Sequence, residues 1–338
     1  SLAPLIHEFK WKPTDYDLLA QGSLCGHLLE CGAQVTGGNF TDWRDVEAGW
    51  EDVGWPVAEC FADGAFIVTK PEGTGGAVTP LTVAEQMLYE IGDPAAYILP
   101  DVVCDFTGVT MVQDGKDRVR VDGAKGRMPT RTYKVSATYP GGFRLVSSSV
   151  FAGYDAPAKA RRVAEAVLNR VGKMLKEAGL PPFGDVAIDV IGDEALYGAS
   201  ADPHRTPPRE VVLRLAVQHA RPEACELLAK ESVGTALATS TGRCGIDAGR
   251  PSASPMVRLF SFLIDKAFVK VAVKIDGADV SFAPFLPPAD HKDVVVQPTV
   301  PDAALPPGRR IEAPLIALAV ARSGDKGNGS NVGVIARK

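Results

Sequence analysis

The 338-residue sequence predicts a mixed α/β protein whose second half is α+β. Three observations predict it. Short β-branched runs alternate with amphipathic stretches and glycine-rich connections in the first 115 residues. From Met111 onward the pattern changes to longer strands and two helices in the order β-α-β-β-α-β, as expected of a two-layer sandwich with helices on one sheet face. The longest helix, Ala156 to Ala178, carries Val163, Val167, Val171, Met174 and Leu175 on one stripe with Lys and Arg opposite. The expected organisation is therefore an α/β part over 1–115 bearing glycine loops, a two-layer α+β domain over 116–285, a proline-rich linker over 286–314, and a small C-terminal element over 315–338.

The elements follow in order. Asp15 to Ala20 begins a helix with a break at Gly22, after which Ser23 caps a short helix that stops at Gly32. Val57 to Cys60 and Ala65 to Thr69 form a hairpin around Ala62-Asp63-Gly64. Leu81 to Ile91 is an amphipathic helix with Thr79 as N-cap and Pro80 at N1, and Thr82 with Glu85 offers an alternative capping box. Asp101 to Phe106 is a strand. Val112 to Val121 turns at Asp114-Gly115, and Arg131 to Thr138 and Phe143 to Phe151 are separate strands. After the long helix come strands over Val186 to Ile191 and Arg209 to Gln218, a helix over Pro222 to Leu237, and strands over Val257 to Ile264 and Phe268 to Ile275. Phe282 to Pro314 is rich in proline. Leu315 to Val320 is an apolar strand that leads through a polar loop into a last strand.

A net charge of -5 and a pI near 5.6 argue against nucleic-acid binding, and no basic block offsets them. Apolar runs are too short to span a bilayer. The six cysteines show neither CxxC pairs nor zinc spacing, so they read as reduced thiols of a cytoplasmic protein with no metal site. The sequence opens at Ser1 without a methionine, and a preceding segment is expected.

The densest concentration of reactive and permissive residues is Gly22 to Trp43. His27 and Glu30 lie three apart on one helical face, a spacing that suits an acid/base pair. Gly37-Gly38 allows main-chain N–H groups to approach a ligand, with Gln34, Thr36 and Asn39 interleaved as polar contacts. The same segment also fits a helix histidine bonded to its neighbour followed by a turn. Trp43, Trp50 and Trp55 suit either the wall of an apolar pocket or packing onto the core.

A second candidate is Lys70 to Pro80, a glycine-rich turn entering a helix. Free N–H groups of Gly75-Gly76, the hydroxyls of Thr74 and Thr79 and the charge of Lys70 could hold a phosphate, a carboxylate or the pyrophosphate of coenzyme A. Its spacing fits neither a Walker loop nor a dinucleotide fingerprint. Asp105 is a candidate partner for His27. Arg243 and Arg250, in a long polar loop, could clamp a carboxylate, and His204 reads as a solvated loop residue. At the C-terminus, Arg322, Ser323, Asp325, Lys326 and Asn331 alternate with glycines between two strands, sited to bind or to catalyse.

The run Gly26-His27-Leu28-Leu29-Glu30-Cys31-Gly32-Ala33-Gln34-Val35-Thr36-Gly37-Gly38-Asn39-Phe40 resembles a signature of the acyclic terpene utilisation (AtuA) family. Lys70 to Pro80, Tyr97 to Phe106 and Ala321 to Arg337 agree with it, so the chain resembles the central and C-terminal portion of that family. The resemblance implies that residues precede Ser1, and that Ala321 to Arg337 opens a small C-terminal domain, here cut short after its first hairpin.

The site residues suit proton abstraction with enolate or oxyanion stabilisation on an acyl or carboxylic substrate. Together with the resemblance they predict a lyase or hydratase-like enzyme of branched, terpene-derived acids, as free acids or coenzyme A thioesters. In that reading His27 is base or acid, Glu30 orients it, and Gly75-Gly76 holds the anion. A non-catalytic acyl-binding protein and a metal-assisted hydrolase are the competing classes. A homo-oligomer is expected, since the signatures at opposite chain ends would then meet across subunits.

Overall fold

The computed structural model describes residues 2–46, 49–245, 250–282, 285–293, 311–326 and 329–337. Helices and antiparallel strands are mixed throughout, and the chain forms two compact units, 1–135 with 263–338 and 136–262.

In the first unit α1 (Leu2–Phe9) lies against α2 (Tyr16–Glu30). The expected break at Gly22 is not there. A Cβ on Gly22 would stand 2.7 Å from Leu2 Cδ2 and 3.2 Å from Trp11 Cζ3, so this glycine gives close helix contact rather than a kink. Ser23 is accordingly mid-helix, and the N-cap is Asp15. Gln21 ties α2 to the strands by accepting from Ala124 N at 2.7 Å and donating to Gly64 O and Val121 O.

Strands β1 (Val57–Cys60) and β2 (Phe66–Thr69) form the expected hairpin. They join β5 (Thr110–Gln113) and β6 (Val119–Asp122) in an antiparallel sheet of order β1-β2-β6-β5. A second sheet has the order β3 (Tyr97–Ile98), β4 (Val103–Asp105), β7 (Lys125–Arg127). Leu24, Leu28, Phe66, Val68, Phe106 and Val121 are buried together between these elements.

Helix α3 (Pro80–Leu88) begins at Thr79, whose hydroxyl accepts from Thr82 N while Thr82 Oγ1 accepts from Thr79 N. Glu85 takes no part in this cap; it accepts the main-chain N–H of Thr41 at 3.1 Å. The helix stops short of Ile91: Tyr89 is already extended, with ψ 122°, and Glu90 follows at φ +62°.

In the second unit, β8 (Thr132–Ala152) is one strand where two were expected. Pro140 is tolerated because pairing with β10 (Glu210–His219) begins only at Phe143. Strand β9 (Asp185–Ile191) lies on the far side of β10, while β11 (Arg243–Cys244) and β12 (Ser254–Asp265) pair with β8. Val211, Leu213, Leu215 and Val217 point to one face of β10 at period two. They meet the Val163, Val167 and Val171 stripe of α4 (Ala156–Glu177), which packs with α5 (Pro222–Gly234) over that face.

After residue 262 the chain rejoins the first unit. The expected strand over Phe268 to Ile275 is a 3-10 turn, Lys266–Phe268, and then β13 (Val273–Ile275) paired with β14 (Ala278–Val280). Most of the proline-rich stretch lies outside the described residues. Leu315 to Leu318 is a helical turn, α6, rather than strand, and β15 (Ala319–Lys326) pairs with β16 (Gly329–Ala336) as a hairpin. No helix among the described residues is long and apolar enough to cross a membrane.

Candidate functional site

His27 lies on the face of α2 turned toward α3 and is buried, with 7% of its surface exposed. Its Nε2 is 3.1 Å from the carbonyl oxygen of Gln86 and 3.2 Å from that of Met87. Carbonyls only accept, so Nε2 carries the hydrogen and Nδ1 holds the lone pair. Nδ1 is buried without a hydrogen-bond partner, 3.8 Å from the Glu30 carboxylate. Burial pulls the imidazole below its ordinary pKa, against the opposing pull of Glu30. The ring is therefore a neutral base at pH 7. Glu30 itself is largely exposed at the surface end of the pair.

The orienting groups differ from those expected. The two α3 carbonyls fix the ring, and Glu30 approaches from outside. Asp105 is not the partner: its carboxylate accepts from the main-chain N and the hydroxyl of Thr107, which hold it below the usual carboxylate range. Tyr97 stacks obliquely at 5.8 Å between ring centroids, its phenol pushed up by burial and by Glu30. His27, Glu30 and Tyr97 line a pocket of about 250 Å³ with Leu99 and Asp101. Nothing in the sequence points to Tyr97 or Asp101 beyond their place in the Tyr97 to Phe106 stretch that resembles the family.

The two glycine-rich loops do meet. Ala77 N donates to Thr36 O at 2.8 Å, Thr36 Oγ1 donates to Gly54 O at 2.6 Å, and Gly75 N donates to Asp52 O at 2.8 Å. A Cβ on Gly76 would stand 2.3 Å from Thr36 O, and one on Gly37 3.0 Å from Ala77 N. Glycine is needed here to let backbone meet backbone. The Gly75 N–H expected to cradle an anion is thus committed within the chain.

The charge of Lys70 is also engaged. Its Nζ donates to Thr74 O at 2.7 Å and lies 3.4 Å from Asp117, which accepts Val78 N at 3.0 Å just ahead of the Thr79 cap. The carboxylate beside this loop is the chain's own Asp117, from a hairpin turn to which sequence reasoning assigns no role. A cavity of about 400 Å³ borders Lys70, Thr74, Gly75, Gly76 and Lys116, and it shares no lining residue with the His27 pocket.

The C-terminal hairpin closes onto the first signature within the chain. Arg322 donates to Asn39 O at 2.5 Å and lies over the Tyr89 ring. Thr41 Oγ1 donates to Ala321 O, and Arg337 forms a bidentate pair with Asp42. Asn331 donates to Leu88 O at 3.0 Å and Ile91 O at 2.9 Å, just past α3. Gln34 accepts from Asn39 Nδ2 at 3.5 Å, while Ser323 and Asp325 are exposed. Gly38 packs against Ala33 O. The Lys326 side chain lies outside what is described.

The other residues that the sequence singles out fall elsewhere. Trp43, Trp50 and Trp55 neither wall the His27 pocket nor enter the core: all three are exposed, with Trp43 and Trp50 edge to face at 5.7 Å and Trp55 over Gly32. Arg243 reaches Ser149 Oγ and Ser232 O in the second unit. All six cysteines are free, and among the described residues no three His, Cys, Asp or Glu side chains converge to hold a metal ion.

The loops that interlock around Thr36 and Ala77 and the helix that carries His27 are the stretches of the two quoted signatures. A family model described as acyclic terpene utilisation family protein AtuA matches residues 1–275. This chain belongs to the AtuA family. The match takes in the His27 pocket, both glycine loops and Asp117, and it ends before the C-terminal hairpin. No curated protein and no solved structure matches this AtuA chain. Membership ties the protein to acyclic terpene utilisation.

Proposed function

We propose that this AtuA-family protein is an acid/base enzyme of lyase or hydratase type that acts on branched, terpene-derived acyl substrates, as free acids or coenzyme A thioesters. The observation that carries the reading is the His27 lone pair: a buried, neutral imidazole nitrogen with no partner, beside a carboxylate and an aromatic-walled pocket. His27 Nδ1 takes a proton from the substrate, Glu30 stabilises the imidazolium formed, and the carbonyls of Gln86 and Met87 hold the ring on aim. Glu30, exposed at its tip, leaves room for the substrate at Nδ1 while its carboxylate stays beside the ring.

The test is native mass spectrometry against acyl-coenzyme A thioesters and free branched acids, following bound mass and its change with time. A ligand whose mass changes, and stops changing in His27→Gln with the fold intact, supports the reading. A ligand retained unchanged by the wild-type protein would replace it with a binding role.

A further inference from the structure

Strand β12 forms one edge of the second unit's sheet: among the described strands it pairs with β8 alone. Its outward edge spans 12 residues, about 40 Å at roughly 3.3 Å per residue, and has no partner strand among the described residues; of these 12 only Pro255, next to the strand's start, lacks an N–H. Natural edge strands are usually blunted by lysines, inward charges, proline or bulges. Here, between Met256 and Phe262, Arg258 is the single charge. The large apolar side chains stand in solvent on both faces: Val257 is 72% exposed, Leu259 59%, Phe260 59% and Phe262 41%. Phe260 and Phe262 already lean on each other at 5.9 Å between centroids.

We propose that this edge pairs with the same edge of a second copy of the chain, antiparallel across a twofold axis at Leu259 or Phe260. The sequence of the strand supports self-pairing. With Leu259 on the axis, Met256 opposes Phe262, Val257 opposes Ser261 and Arg258 opposes Phe260. With Phe260 on the axis, Arg258 opposes Phe262 and Leu259 opposes Ser261. In both registers no like charges meet, and the Arg258 guanidinium, which donates to Gln218 Oε1 at 3.0 Å, lies over β8 rather than at the edge. A segment that opposes itself well in this way suits the isologous contact of a C2 dimer, the commonest homo-oligomer. The product is a continuous antiparallel sheet through the two copies, in which the exposed aromatic side chains of one strand cover those of the other. The site residues of the first unit take no part, so the dimer stands or falls independently of the proposed chemistry.

The experiment is sedimentation velocity on the full chain from 0.1 to about 50 μM, with Leu259→Lys and Phe260→Asp as edge variants. Both side chains are exposed, so circular dichroism stays at its wild-type value, and so does the unfolding midpoint when measured at concentrations where the wild-type chain is monomeric. The wild-type chain is expected to sediment as a dimer, and each variant to raise the dissociation constant at least tenfold. A wild-type chain that stays monomeric would assign the edge to a different occupant and overturn self-pairing. So would a dimer that both variants leave intact.

Discussion

The imidazole Nε2 of His27 is 3.1 Å from the Gln86 carbonyl, and the Gln86 amide donates back to the His27 carbonyl at 3.3 Å. This reciprocal bond joins α2 to α3, so the residue proposed to move a proton also holds the fold. His27→Ala should lose about 2–4 kcal/mol, from broken hydrogen bonds plus a cavity. His27→Gln, whose amide can still reach the α3 carbonyls, should lose about half as much. Urea unfolding of the two variants measures the difference.

The same burial makes stability depend on pH. The folded-state pKa of His27 lies below its unfolded value of about 6.5, so between the two the unfolded chain binds more protons than the native one. The contribution is fully present above pH 6.5 or so and is lost as pH falls below it, at no more than about 1.4 kcal/mol per pH unit. His27→Gln should flatten that slope. Urea midpoints between pH 5 and pH 8 test it, and an unchanged slope in the variant would show that another group titrates.

Two neighbouring glycines separate conformational strain from collision. Gly73 has φ +79° with nothing near its absent Cβ, whereas Gly76 has φ +86° and Thr36 O only 2.3 Å from that position. Gly73→Ala should therefore cost about 1–2 kcal/mol, from the left-handed backbone alone. Gly76→Ala must in addition push the two loops apart and should cost more than about 3 kcal/mol. Thermal unfolding of the pair distinguishes them.

What the sequence made legible follows from range. The β1–β2 hairpin, the Thr79 cap and the α4 stripe are specified by residues within a turn or two of each other, and each is present. Gly22 to Trp43 and Lys70 to Pro80 stand out in the sequence for the same reason, since their residue types are local. Their partners do not, because Thr36 meets Ala77 and Asn39 meets Arg322 through folding alone. Gly22 misled for a related reason: a glycine that breaks a helix and one that admits a second helix look alike until Leu2 and Trp11 are in place. Polarity at the C-terminus suggested chemistry, whereas Asn331 spends its donors on the end of α3.

The side chains of Lys70 and Asp117 are 5% and 23% exposed, and they share the loop with Val78 N. Asp117→Asn keeps an acceptor for Val78 but leaves the Lys70 ammonium without a counter-charge, and should cost about 2–4 kcal/mol. Lys70→Met in the same background should recover part of that loss, because it removes the stranded charge. A double-mutant cycle by urea unfolding gives the coupling, and strict additivity would mean that the pair does not interact.

The hairpin of β15 and β16 hangs on Asn331. Its amide is the donor to two carbonyls at the end of α3, and a Cβ on Gly324 would collide with its Oδ1 at 2.6 Å, so the position accepts little else. Asn331→Asp replaces a double donor with a group that is acceptor-only when ionised, facing the oxygens of Leu88 and Ile91. Both contacts become repulsive, and the variant should lose about 2–4 kcal/mol at pH 7. Protonating the new carboxyl restores one donor, so the deficit relative to the wild-type chain should shrink below about pH 5. Amide exchange localises the effect: protection should fall across residues 319–326 and 329–336 while β8 and β10 keep theirs, because other ties of the hairpin, among them Thr41 to Ala321, Arg322 to Asn39 and Arg337 to Asp42, lie nearer its open end. Equal loss of protection in both units would instead make Asn331 part of one cooperative fold.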